Sequence, residues 1–72
     1  MKKTYKLFDL DCANCARKME DAIRKIDGVT NATVNFLSQK LVLEAEDAKF
    51  DACLQAAVKA IHKVDPDCEV DL

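Results

Sequence analysis

Residues 5–28 read YKLFDLDCANCARKMEDAIRKIDG. The spacing of apolar residues changes once inside this stretch, and the place where it changes decides the fold. Tyr5 and Leu7 are two apart, so a strand over residues 3 to 8 turns both toward one face. Asp9 to Ala13 is a polar loop interrupted by Leu10. From about Asn14 the period lengthens: Ala16, Met19, Ile23 and Ile26 lie along one face of an amphipathic helix. Arg17, Lys18, Glu20, Arg24 and Lys25 fall on the wet side. Gly28 follows the last apolar residue by two and stops the helix, because glycine accepts the left-handed conformation there.

Working outward, residues 29 to 37 alternate again, with Ala32, Val34 and Phe36 on one side and Thr33 and Asn35 on the other. Leu41, Val42 and Leu43 form a third strand, and Leu37-Ser38-Gln39-Lys40 turns between the two as an antiparallel hairpin. Residues 44 to 49 are a charged connection. A second helix is expected from about Phe50 to Val64, burying Phe50, Leu54, Ala57, Val58 and Ile61. Asp65-Pro66-Asp67 ends it, since proline disfavours helix in the residue before it. Cys68, Val70 and Leu72 alternate as a last short strand. The order βαββαβ is the split βαβ pattern of a ferredoxin-like α+β domain, with two helices on one face of a four-stranded antiparallel sheet. The whole of residues 1–72 is read as one domain. Its apolar core is expected to hold the fold without a metal ion, unlike a zinc finger.

The 72 residues are half hydrophobic and one-third charged, as a globular chain should be, with a formal net charge of -2. Lys and Arg are scattered among Asp and Glu, so no clustered positive patch favours nucleic acid. No apolar run approaches the roughly 20 residues of a membrane span. Met1 to Lys6 carries charge with no apolar stretch behind it, so we expect no signal peptide and a cytoplasmic monomer. No paired carboxylates, phosphate loop or Ser/His/Asp set suggests catalysis by the domain itself.

There are four cysteines: Cys12, Cys15, Cys53 and Cys68. Cys12-Ala13-Asn14-Cys15 spans the end of the first loop and the first turn of the first helix. Two intervening residues let both sulfurs converge on one point, and helix-start amides favour the thiolate form. Thiolates are soft ligands that select copper(I) and zinc over magnesium or calcium. A thiol–disulfide oxidoreductase would use the same spacing, but needs a larger βαβ core and a proline near the disulfide; Pro66 is the one proline. Cys68 is in phase with Val70 and Leu72 and is read as core rather than as a third ligand. Cys53 beside Leu54 and Met19 beside Ile23 are also read as core. His62 is read as a surface residue.

The stretch Leu10-Asp11-Cys12-Ala13-Asn14-Cys15-Ala16 resembles the M-x-C-x-x-C-A signature of heavy-metal-associated domains. Gly28-Val29 and Val34-Asn35-Phe36 also match that family's pattern, and the resemblance runs from about Tyr5 to Leu72. It implies metal binding by Cys12 and Cys15, either in a small metallochaperone or in the N-terminal cytosolic domain of a P-type heavy-metal ATPase. Such an exporter would continue into membrane helices after Leu72. The partner would then be the membrane-transport domain of the same chain or a separate transporter. Where the family usually has Gly-Met before the loop, this chain has Asp9-Leu10, and Leu10 can serve as the apolar plug under it. Copper-type members usually carry Thr before the first cysteine; Asp11 resembles the zinc, cadmium and lead exporters instead. Asp65-Pro66 replaces the usual Gly-Tyr, Gly-Phe or Gly-Lys after the second helix. The expectation is one Zn2+, Cd2+ or Pb2+ ion, favoured over Cu+, on Cys12, Cys15 and Asp11. The Asp65–Cys68 loop is expected beside them.

Cys12→Ser or Cys15→Ser should each abolish tight metal binding, and Cys53→Ser should not. Titration followed by thiolate-to-metal absorption checks this, and equal loss from all three would mean a different site.

Overall fold

A computed structural model describes residues 1–72. Four strands and two helices follow the expected order: β1 (Lys2–Phe8), α1 (Ala13–Arg24), β2 (Val29–Asn35), β3 (Lys40–Ala45), α2 (Phe50–Val64) and β4 (Glu69–Val70), with a 3-10 turn at Asp47–Lys49 before α2. The strands form one sheet in the order β2-β3-β1-β4. Every pairing is antiparallel, so β1 is central, flanked by β3 and β4. This is the ferredoxin-like arrangement that the sequence predicts. It contains no larger βαβ core of the kind an oxidoreductase reading requires.

Alternation along the strands sorts their side chains. Leu7, Ala32, Val34, Leu41, Leu43 and Ala45 point inward and are buried. The helices add Ala16, Met19, Ile23, Phe50, Cys53, Ala57 and Ile61, and the loops add Leu10 and Cys68. These fifteen form a single cluster that contains no polar or charged side chain. Burial of this kind contributes about 1.5–3 kcal/mol for each leucine-sized side chain.

Three expectations need correction. First, α2 buries Phe50, Cys53, Ala57 and Ile61 as read, but Leu54 and Val58 are only half-buried. Small side chains on the inner face let the helix come close to the start of β2. There a Cβ on Gly28 would lie 3.0 Å from Cys53 Sγ. The Cys53 thiol donates to the Asp27 carbonyl at 3.4 Å, which satisfies it in the core. Second, β2 ends at Asn35, leaving Phe36 half-buried in the turn. Third, β4 is only two residues long: Glu69 and Val70 pair with Phe8 and Leu7, and the end of β1 at Phe8 leaves Cys68 outside the ladder. Cys68 precedes it and Leu72 is 75% exposed beyond it.

Helix α1 also touches the outer edge of the sheet with polar groups. The Val34 N–H donates to Glu20 Oε1 at 3.1 Å, and Arg24 Nε donates to the Ala32 carbonyl at 2.8 Å. The two side chains are one turn apart and pair with each other at 3.9 Å.

Gly28 has φ +98, a conformation that L side chains rarely adopt, in addition to its tight contact with Cys53 and Lys49. Gly28→Ala should therefore lower stability by at least about 1–2 kcal/mol, read as a lower urea midpoint with an unchanged slope.

Candidate metal centre

The site is built where the chain leaves the sheet. Phe8 is the last residue of β1, and Asp9 takes a left-handed turn with φ +62. That turn drops Leu10 into the core, where it is 1% exposed and acts as the expected plug. Asp11 then emerges exposed, and Cys12 and Cys15 are half-buried at the surface.

Cys12 is the N-cap of α1, with extended backbone (φ -133, ψ 118). Its Sγ accepts the Cys15 N–H at 3.2 Å, and its carbonyl accepts the Ala16 N–H at 3.1 Å. A cap residue normally supplies a side-chain oxygen for one of the unpaired amides of the first turn. Here a sulfur does so. The position that favours a helix also favours negative charge on that sulfur. The Cys12 thiol is accordingly held below its ordinary range, first by a hydrogen bond from the Cys15 thiol. The Cys15 and Asn14 amides and the Lys18 ammonium add to the effect. Cys15 is pushed the other way, chiefly by that same shared hydrogen bond, then by desolvation and by the charges of Cys12 and Asp65. Cys12 thus gives up its proton before Cys15. A cation that takes both sulfurs must displace their protons, so binding strengthens as pH rises.

The donor set suits a soft ion. Cys12 and Cys15 lie together as the spacing predicts, but no group of three or more His, Cys, Asp or Glu side chains converges anywhere. Asp11 is next to Cys12 in sequence and takes part in none of the ion pairs. Asp65 caps the C-terminus of α2, and its Oδ1 accepts the Asp67 N–H at 3.0 Å. It is close enough to raise the Cys15 thiol, so the loop after α2 does face the metal loop. Cys68 is fully buried, and burial, with Asp65, Glu69, Asp9 and Asp11 adding, pushes its thiol up to about 11. It is a protonated core residue at neutral pH. Met19 is likewise core. His62 lies on α2, half-exposed, 3.6 Å from Glu69. Sequence reasoning missed one contributor, Gln39, whose side chain bonds to the Leu10 backbone from 29 residues away.

Comparison with known proteins identifies the family. The family model described as "heavy-metal-associated domain" matches residues 4–67. Over 66 residues the chain is 33% identical to a cadmium, zinc and cobalt-transporting ATPase of Bacillus subtilis (strain 168), covering 92% of this chain and 9% of that protein. Over 57 residues it is 40% identical to a zinc/cadmium/lead-transporting P-type ATPase of Escherichia coli (strain K12), covering 75% of this chain and 8% of that protein. The chain thus spans less than a tenth of the length of these relatives. Among solved structures, a CopZ metallochaperone superposes with a TM-score of 0.77 at 25% identity, covering 99% of this chain and 100% of that one. No helix is long and apolar enough to cross a membrane.

The inequality between the two thiols can be read directly. Iodoacetamide should modify Cys12 first, with a rate that titrates below an ordinary thiol, and Cys15 only at higher pH. Buried Cys53 and Cys68 should stay unmodified in the native protein. Peptide mass spectrometry checks the order; equal rates at Cys12 and Cys15 would remove the case for two unequal thiols.

Proposed function

The chain belongs to the heavy-metal-associated domain family, a family of metal-binding modules, and from that premise we propose that residues 1–72 form one domain that carries a divalent soft ion as cargo on Cys12, Cys15 and Asp11. The favoured ions are zinc, cadmium and lead. In this reading the domain is the cytoplasmic N-terminal part of a P-type ATPase that exports the ion. It passes the ion to the membrane-transport domain of the same chain or to a partner transporter.

The observation that carries the reading is the capped pair. One sulfur is held toward its thiolate form by the Cys15 thiol and by the amides of the helix start, and the other lies one turn along the same surface. The preference for divalent ions is supported by Asp11 and by the metals named for the relatives above. Copper(I) is satisfied by two sulfurs in a near-linear arrangement. Zinc in protein sites takes about four ligands. Asp11 adds a carboxylate beside Cys12 and a third negative charge. Water or a carboxylate of the Asp65-Pro66-Asp67 loop can take the remaining position. An open position suits a carrier, because an incoming thiolate or carboxylate of the next site can attack there before the first ligands let go.

The second reading is a free-standing copper(I) carrier, favoured by the likeness to a CopZ metallochaperone along its full length. One experiment separates the two. Competition titrations of zinc, cadmium, lead and copper(I) are run on the native chain, Asp11→Ala and Asp11→Thr. Divalent affinity should fall about tenfold or more, a change worth about 1.4 kcal/mol or more, with copper(I) affinity nearly unchanged. Unaltered divalent affinity would leave Asp11 outside the site and favour the copper reading.

A further inference from the structure

We propose that Gln39, in the turn between β2 and β3, is a positioning residue that holds the metal loop in its binding shape. The inference rests on the reading of Cys12 and Cys15 as the ligands. The problem it answers is local. The ladder of β1 with β3 stops at Lys6, the pairing with β4 stops at Phe8, and α1 begins at Ala13. Between them, Leu10 is buried with two backbone groups that have no strand to meet.

Gln39 meets both. Its Oε1 accepts the Leu10 N–H at 3.0 Å, and its Nε2 donates to the Leu10 carbonyl. The side-chain amide thus takes the place of a peptide in a missing strand. Nε2 also donates to the Phe36 carbonyl at 3.0 Å, which fixes the amide's own orientation. The Gln39 carbonyl accepts the Leu7 N–H at 2.8 Å, tying the same residue to the end of β1. To do all this Gln39 sits in the left-handed region, φ 55, which is uncommon for a residue with a side chain.

The two bonds to Leu10 are the only hydrogen bonds from Asp9–Cys12 to any distant part of the chain. Leu10 is two residues from Cys12. With the amide in place, the loop can pivot neither at Asp9 nor beneath Cys12, and the sulfur of Cys12 keeps its place relative to Cys15. Ligands held this way before the ion arrives bind it more tightly, because the ordering cost is already met. Glutamine is the side chain that fits: asparagine is one carbon shorter, leucine leaves both Leu10 groups unpaired, and glutamate keeps the acceptor but loses the donor.

The test uses the full chain with cadmium(II) alone as probe, titrated against a competing chelator. Gln39→Leu should fold and bind cadmium about tenfold more weakly than the native chain. Its cadmium NMR resonance should broaden or split as the loop samples more than one shape. Gln39→Glu should show a smaller loss. Asn35→Ala removes the Ser38 N–H bond at 3.0 Å from the same turn without touching Leu10, and should stay within about twofold of native. A folded Gln39→Leu chain with native affinity and one sharp resonance would overturn the proposal, as would an equal loss in Asn35→Ala. If Gln39→Leu does not fold, Gln39→Glu decides: a measurable loss supports the proposal and native affinity overturns it. Cys12→Ser is measured alongside. Native affinity in that variant defeats the ligand reading, whereas affinity that needs Cys12 but not Gln39 defeats this inference alone.

Discussion

The constraint on which the structure turns is the burial of Leu10 between two stretches that must stay at the surface. Within five residues the chain leaves a central strand, puts a large apolar side chain into the core, and returns to start a helix with an exposed sulfur. The left-handed turn at Asp9 makes the descent possible. Cys12 makes the return possible, because its sulfur accepts the Cys15 amide and begins α1. Leu10 anchors the step from below with about 2 kcal/mol or more of burial. The same device that joins strand to helix therefore places two sulfurs in the loop and first turn at the end of β1.

The division of labour that follows is clean. All buried side chains are apolar and belong to one cluster. The ionisable groups that favour or oppose a cation, Asp11, Lys18 and Asp65 beside the two cysteines, lie on the surface above it. Apart from Cys12, which also caps α1, folding and metal binding then draw on different residues. A zinc finger merges the two, so its ion is part of the fold. A carrier benefits from separation, since it must lose its cargo and remain folded.

Much of this was legible in the sequence because it is local. Alternation gave the strands, the 3.6 period gave α1, and the two-residue spacing of Cys12 and Cys15 placed both sulfurs in one turn. What was not legible depends on distance or on small side chains. Leu54 and Val58 of α2 give a stronger apolar signal than Cys53 and Ala57, yet they are only half-buried. Close approach to Gly28 nevertheless selects the smaller residues. The start of β4 is set by the end of β1 at Phe8, which no pattern within residues 68–72 reveals. Gln39 reads as an ordinary polar turn residue. Its role lies in hydrogen bonds to a backbone 29 residues away, which leave no periodic trace.

The contacts of Glu20 and Arg24 with β2 reach beyond their own neighbourhood. β2 is an outer strand, and an outer strand offers unpaired amides and carbonyls on which a second chain can polymerise. Glu20 occupies the Val34 N–H and Arg24 the Ala32 carbonyl, on the side of the strand that faces away from β3. The opposite outer strand, β4, is only two residues long. One border of the sheet is thus blocked by a helix at two of its outward groups, and on the other β4 covers only Leu7 and Phe8. For crowded copies of such a domain, at high concentration or strung along one polypeptide, the edge left open is Lys2–Tyr5 of β1, where two lysines oppose zipping into fibrils.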